Sequence, residues 1–302
     1  MIAPGRMGEC ALVDVKQQAG LAVVDKPSGM TSHDVVSRAR KVFGTRAVGH
    51  AGTLDPLATG VLVLGIGRAT KLLGHLALDA KSYTAAVVLG ANTVTDDAEG
   101  ETLSETDASA VTEDAVRAAI AELTGTIQQV PSAVSAVKVD GKRAYARVRE
   151  GEQVELAART VTVSRFSLES FAQNGNRVEC TVSVDVSSGT YVRALARDLG
   201  AALGVGGHLN ALRRTVVGPF TLEHARPLEE LALSLDLDAA VAHAFPAHRV
   251  DEATARAIRY GQRTPAAGIA GTYGVLDEHA HAIAIAKDAG PHCKTAVVLD
   301  PA

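Results

Sequence analysis

Hydrophobic and polar positions change rhythm several times along this 302-residue chain. Residues 1–19 show no clear period and read as an N-terminal extension. Leu21 to Asp25 is a short apolar run that stops at the turn signal Lys26-Pro27-Ser28-Gly29, which predicts a strand. A helical rhythm follows, with Thr31 or Ser32 as N-cap and Asp34 in the first turn. Val35, Val36, Ala39, Val42 and Phe43 share one face, and Gly44 ends it. Gly60 to Leu64 reads as an extended, buried segment. Tyr83, Ala85, Val87 and Leu89 alternate as in a strand, and Thr112 to Leu123 reads as a capped helix ended by Gly125. Val161 and Val163 mark another strand. Val178, Cys180, Val182, Val184 and Val186 alternate cleanly, which places Cys180 in a core rather than at a reactive site. A helix from Tyr191 to Leu203 follows, with Val192, Leu195, Leu199 and Leu203 on one face and Gly204 past its end.

Strands and helices alternate here without the regular βαβ beat of a doubly wound sheet, so the pattern predicts a mixed α/β (α+β) fold, a mixed sheet with flanking helices. From about Glu223 the texture changes: residues 226–248 read as a linker with helical pieces. Residues 249–302 carry the short strand-like runs "YGVL", "AIAIAK" and "TAVVL", which predict a small β-rich domain.

Composition narrows the class. With 47% hydrophobic residues the chain can bury the core of one large domain, or of one large and one small domain. Cys10, Cys180 and Cys293 are odd in number and far apart, so neither a disulfide framework nor a CxxC metal site is implied, and a reducing cytoplasm is expected. No stretch reaches the roughly 18 apolar residues of a membrane span, so no membrane partner is expected. The net charge of −4 is unevenly spread. Thr95 to Asp114 holds eight acids and no Lys or Arg, which leaves the rest of the chain net positive. Lys138, Lys142, Arg143, Arg147 and Arg149 gather around Asp140, either as a solvated face or as a surface for a polyanion.

Candidate chemistry is concentrated in "GHAGTLDPLATGVLVLGIGRATK", Gly49 to Lys71. Its Gly65 and Gly67 lack the third glycine of a dinucleotide fingerprint. The group His279, His281, His292 and Cys293 matches no zinc-ligand spacing, so no metal site is expected. Asp55 is the informative residue. An isolated carboxylate in an apolar stretch costs several kcal/mol unless paired, so Asp55 needs a partner. Gly49 and Gly52 allow close backbone approach and Pro56 fixes the chain behind the acid, as in a loop that presents one carboxylate; the bland alternative is an N-cap. In "SSGTYVRALARDLG", Tyr191 and Arg193 lie two apart, and Arg193 is a natural partner for Asp55, the alternative being a core aromatic beside a surface arginine.

Together these stretches resemble one family, the bacterial tRNA pseudouridine synthases of the TruB type. The resemblance rests on "GLAVVDKPSGMTSHDVV" at 20–36, "RAVGHAGTLDPLATGVLVLGIGRATK" at 46–71, "KSYTA" at 81–85, "VPSAVSAVKVDGKRAYARVREG" at 130–151, "SSGTYVRALARDLG" at 187–200 and "GGHLNALRRTVVGPF" at 206–220, in the family's order. It implies a pseudouridine synthase domain over 20–225 with an RNA-binding insertion near 128–154, the linker 226–248, and a PUA-like RNA-binding domain over 249–302. The implied reaction is isomerisation of uridine to pseudouridine at position 55 of the tRNA T loop, on a flipped-out uridine, with no cofactor, by a cytoplasmic monomer needing no obligate protein partner.

The resemblance also implies roles. Asp55 is the catalytic aspartate acting at the ribose C1′, Tyr83 lies against the target base as proton acceptor, and Tyr191 and Arg193 line the same pocket. Leu212 packs near the flipped base, Lys26 and Pro27 buttress the pocket floor, and His50 fills the space the base leaves. Lys138, Lys142, Arg143 and Arg147 grip RNA phosphates. Two departures stand out: Ala133-Val134 where many relatives carry an aromatic, and Val94 where an acid is common. A catalytically silent RNA-binding protein would not need Asp55, Tyr83 and Arg193 together, and a nucleotide-cofactor enzyme would rest on Gly65 and Gly67 alone.

Overall fold

A computed structural model of the protein describes residues 19–132, 138–139, 142–143 and 156–301. Two apolar strands, β1 (Gly20–Lys26) and β3 (Thr59–Ile66), pair antiparallel from Gly20 opposite Ile66 to Lys26 opposite Gly60. Both are apolar on nearly every position because both faces of the sheet are covered there. Helix α1 (Ser32–Val42) connects them, and Thr31 and Asp34 form a reciprocal capping box at its start. Val35, Val36, Ala39 and Phe43 face the core as the periodicity predicts, whereas Val42 is exposed at the helix end. A short strand β2 (Val48–His50) then adds to β3.

The centre of the sheet is β4 (Lys81–Leu89), paired antiparallel on one side with β11 (Arg177–Val186) and on the other with β12 (Gly207–Val217). β12 runs parallel to β3, which makes the sheet mixed, as expected. β10 (Arg159–Asn174) and β7 (Gly125–Gln129) complete the far side of this 11-stranded sheet. Between β3 and β4 lie a 3-10 helix (Gly67–Leu72) and a single α-helical turn, α2 (Leu73–Leu76). Helix α3 (Glu113–Glu122) packs on β10 and helix α4 (Val192–Ala202) on β12, joining Val116, Ile120, Leu195 and Leu199 to Val163, Val182 and Leu209 in one core. Cys180 is buried there. Burial pushes its thiol up to about 11, so it is an unreactive core residue. A two-stranded side sheet, β5 (Ala91–Thr93) with β6 (Thr102–Glu105), carries the acidic loop.

Residues 226–248, read from the sequence as a linker with helical pieces, do hold a helix, but most of the stretch is built onto the large sheet, while Ala247–Arg249 pairs parallel with Thr272–Leu276 of the C-terminal sheet. Arg226–Pro227 pairs parallel with β1, Leu235–Asp236 pairs antiparallel with it, and helix α5 (Leu237–Ala244) starts at the N-cap Asp236. Elements two residues long carry no readable periodicity, which is why the sequence showed only loose texture. Ala240 and Val241 of α5 share an apolar cluster with Leu21 and Val23 on one side and Leu276, Ile285 and Leu299 on the other. The expected β-rich unit follows as a five-stranded sheet that includes Thr272–Leu276, Ala282–Ala289 and His292–Val298, with helix α6 (Glu252–Arg259) against it. In the insertion, β8 (Lys138–Val139) and β9 (Lys142–Arg143) pair as a two-stranded ladder. The side chains of Lys138, Lys142 and Arg143, and all of Arg147, lie outside the described residues, as do Ala133 and Val134.

Candidate active site

The loop between β2 and β3 carries Asp55, and buried polar groups fasten its backbone on several sides. Ser32, at the start of α1, donates its hydroxyl to the Leu54 carbonyl (3.1 Å) and accepts from the Leu54 N–H (2.8 Å). The fully buried Lys26 ammonium donates to the carbonyls of Pro27 (2.9 Å), Met30 (2.6 Å) and Pro56 (3.2 Å). The equally buried Arg214 guanidinium donates to the carbonyls of Val61 (2.8 Å), Gly52 (3.1 Å) and Thr53 (3.3 Å). Two glycines make this possible: Gly52 holds a positive φ of 88° beside Arg214, and a Cβ on Gly60, at φ 100°, would sit 2.1 Å from the Arg214 carbonyl oxygen. Leaving these carbonyls without donors would cost about 1–3 kcal/mol each, so the buried cations hold the loop in one place.

Arg193 reaches this loop from the first turn of α4. Its Nε lies 3.0 Å from Asp55 Oδ2, which supplies the partner a carboxylate here requires. Its Nη1 donates to the Thr95 carbonyl (2.7 Å) and lies 3.4 Å from Asp97 Oδ2. Asp97 also accepts from the Thr95 hydroxyl (2.5 Å) and the Glu99 N–H (3.1 Å). One arginine therefore serves two carboxylates of different character. The Asp97 side chain is 3% exposed, whereas that of Asp55 is 39% exposed and opens into a cleft of about 320 Å³. Only Asp55 can meet a ligand.

Tyr83, Tyr191 and Leu212 line the same cleft with Asp55 and Arg193, so five of the residues singled out in the sequence converge. Lys26 and Pro27 are not among the lining residues; Lys26 supports the loop through Pro56 and Pro27 is exposed. His50 is half-buried on β2, opposite Leu64, and is also absent from the lining. Burial, reinforced by the nearby Arg214 charge, pushes its imidazole below the ordinary histidine range, which favours the neutral ring.

Three functional-looking residues escaped the sequence reading: Lys81 and Arg214, which line the cleft, and Asp97 behind it. Strand alternation could have found the first two. Lys81 lies two residues before Tyr83 and Arg214 two after Leu212, so each pair shares a strand face. Lys81 donates to the carbonyls of Ala77 (3.0 Å) and Asp79 (2.7 Å), and burial pushes its ammonium down to about 8. Asp97 was hidden in an acidic run that reads as solvated charge. The cleft thus carries one accessible carboxylate in a setting of Arg193, Arg214 and Lys81, a field that attracts a polyanion.

The alternatives seen in the sequence gain no such geometry. Gly65 serves close packing, since a Cβ there would lie 2.8 Å from the Ala69 carbonyl oxygen, and Gly67 serves a turn at a positive φ of 59°. Among the described residues no group of three or more His, Cys, Asp or Glu side chains could hold a metal ion, and no helix is long and apolar enough to cross a membrane.

Comparison with known proteins points the same way. Residues 40–192 match the TruB family pseudouridylate synthase N-terminal domain, residues 193–242 the tRNA pseudouridylate synthase B C-terminal domain, and residues 245–300 the tRNA pseudouridine synthase II C-terminal domain. A tRNA pseudouridine synthase B from Rhodococcus jostii (strain RHA1) is 58% identical over 289 residues, covering 94% of this chain and 95% of that protein. One from Mycobacteroides abscessus is 56% identical over 296 residues, covering 96% and 99%. Among solved structures, a Cbf5-Nop10-Gar1 complex contains a chain of similar fold, with a TM-score of 0.70 and 25% identity over 95% of this chain and 87% of that one. With the lone accessible carboxylate of its cleft paired to a buried arginine, and with three family domains matched in succession, this chain belongs to the TruB family of pseudouridylate synthases.

Proposed function

We propose that the protein isomerises uridine to pseudouridine in tRNA, at position 55 of the T loop, and that Asp55 acts on the sugar of the target nucleotide. The observation that carries this reading is the accessible Asp55 carboxylate held 3.0 Å from the buried Arg193 guanidinium. In the reaction the C1′–N1 bond breaks, the uracil turns, and a C1′–C5 bond forms; C5 loses a proton and N1 gains one. Substrate and product have the same atoms, so the reaction balances without a donor, oxidant or cofactor.

The residues divide this work by position. Arg193 holds Asp55 aimed into the cleft, and a carboxylate there can attack C1′ or stabilise the positive charge that grows there. Tyr83, on the central strand β4, lies against the base and takes the proton released during rearrangement. Tyr191 and Leu212 confine the detached uracil, so that it turns without escaping. A cleft of about 320 Å³ is near the lower end of the ~300–1,000 Å³ typical of small-ligand sites. It suits a single base, and a base in a folded loop must leave its stack to enter, at a cost of a few kcal/mol. His50 takes the vacated place in the loop; its neutral ring suits stacking. Lys138, Lys142, Arg143 and Arg147 in the insertion, together with the C-terminal sheet, grip the T arm. On this reading the protein acts as a cytoplasmic monomer with no obligate protein partner.

The test is to incubate the purified protein with an unmodified tRNA transcript and map pseudouridine by position. Pseudouridine confined to T-loop position 55 is the expected result. Binding of tRNA with no pseudouridine anywhere would overturn the reading in favour of an RNA-binding protein.

A further inference from the structure

Helix α4 delivers two cleft residues, Tyr191 at its N-cap and Arg193 in its first turn, yet Tyr191 provides no side-chain cap. The N-cap residue is instead fastened through its main chain by a side chain from elsewhere in the chain. Gln129, the last residue of β7, is 1% exposed, and its carboxamide lies against the Tyr191 main chain. Its Oε1 accepts from the Tyr191 N–H (2.9 Å) and its Nε2 donates to the Tyr191 carbonyl (3.1 Å). A second fastening lies one residue on: Arg197, one helical turn beyond Arg193, donates to the Val130 carbonyl (2.8 Å). The same Arg197 lies 3.2 Å from Asp96, the neighbour of the Asp97 that pairs with Arg193.

The position of Gln129 in the fold gives these bonds their meaning. Gln129 is paired with Arg159 in the ladder between β7 and β10, so the chain leaves the large sheet immediately after Gln129 and rejoins it at Arg159. The root of the basic insertion and the cleft helix are therefore joined by a buried, two-way amide contact. We infer that Gln129 is a positioning residue for the isomerisation: by clamping Tyr191 it sets the start of α4, and hence the placement of Tyr191 and of the Arg193 guanidinium on Asp55. This inference rests on the isomerase reading proposed above.

Two substitutions test it. Gln129→Met keeps the length and apolar contacts but removes both hydrogen bonds. Single-turnover pseudouridine formation at saturating enzyme should fall by about 10- to 100-fold, the scale of a sub-ångström to 1 Å misplacement of reacting groups, with the tRNA Kd unchanged. Gln129→Glu supplies a readout that a purely structural role would not give. Its protonated carboxyl can donate to one Tyr191 group and accept from the other, whereas the carboxylate can only accept. Burial beside a carbonyl raises its pKa, so the variant's rate should recover at low pH and fall as pH rises, beyond any fall shown by the parent protein.

An unchanged single-turnover rate in Gln129→Met, a weakened tRNA Kd with unchanged rate, or a Gln129→Glu profile parallel to the parent's would each overturn the inference while leaving the isomerase reading intact. If Gln129→Met does not fold, the Gln129→Glu profile decides alone. A parent protein that forms no pseudouridine would remove the isomerase reading and this inference with it.

Discussion

The cleft and the C-terminal sheet bury opposite kinds of side chain. Around Asp55, the buried groups are Lys26, Lys81, Arg193, Arg214 and Asp97, each engaged with a carbonyl or an opposite charge. In the C-terminal sheet the buried groups are Tyr273, Val275, Ile283, Ala284 and Ile285, and Asp277 is spent on a turn, where it accepts from the N–H groups of His279 and His281. Burying a charge is costly even when it is paired, so the cleft's arrangement is a poor way to gain stability. It is a good way to hold one carboxylate at a fixed point against water. The difference teaches that stability and chemistry are assigned to different regions here, and that disturbing one should spare the other.

The largest expected effect on stability comes from the apolar side of this division. Ile285→Ala, in the cluster shared by α5 and the C-terminal sheet, should cost about 2–5 kcal/mol in urea unfolding while the folded fraction keeps its single-turnover rate. Asp97→Asn should do the reverse. Removing the buried partner of Arg193 lets the guanidinium drift, and the single-turnover rate should drop about 100-fold with little change in tRNA Kd. The smallest effect is one of pH. Burial lowers the ammonium of Lys26 and that of Lys81 from 10.5 to about 8. Between those values the unfolded chain binds more protons than the folded one, so their contribution to stability rises with pH through that window and is flat below it. Unfolding free energies measured from pH 8 to 10 should rise less in Lys81→Met than in the parent protein.

What the sequence made legible follows the same division. Strand and helix periodicity over β4, β11, α1 and α4 was readable because each element is long enough to show its period. Asp55 was readable because a charge between Leu54 and Pro56 breaks an otherwise apolar pattern. Asp97 was not, since an acid among acids carries no signal until Arg193 is seen to reach it. Arg213 and Arg214 are adjacent and alike in sequence, yet one forms a part-exposed pair with Asp25 and the other is fully buried against the loop that carries Asp55. Strand alternation tells them apart only after the inward face is known. In the stretch 226–248 the helix was readable but the strands were not, since they are two or three residues long and take their place from β1 or the C-terminal sheet rather than from their own pattern.

The central claim is that the accessible carboxylate of Asp55 does the chemistry while its surroundings only hold it. The most direct test is single-turnover pseudouridine formation by Asp55→Asn, measured beside its tRNA Kd and its unfolding midpoint. The substitution keeps shape and volume but replaces the carboxylate facing Arg193 with a neutral amide. The account predicts no detectable pseudouridine, with tRNA binding and fold preserved. Appreciable turnover by that variant would contradict it.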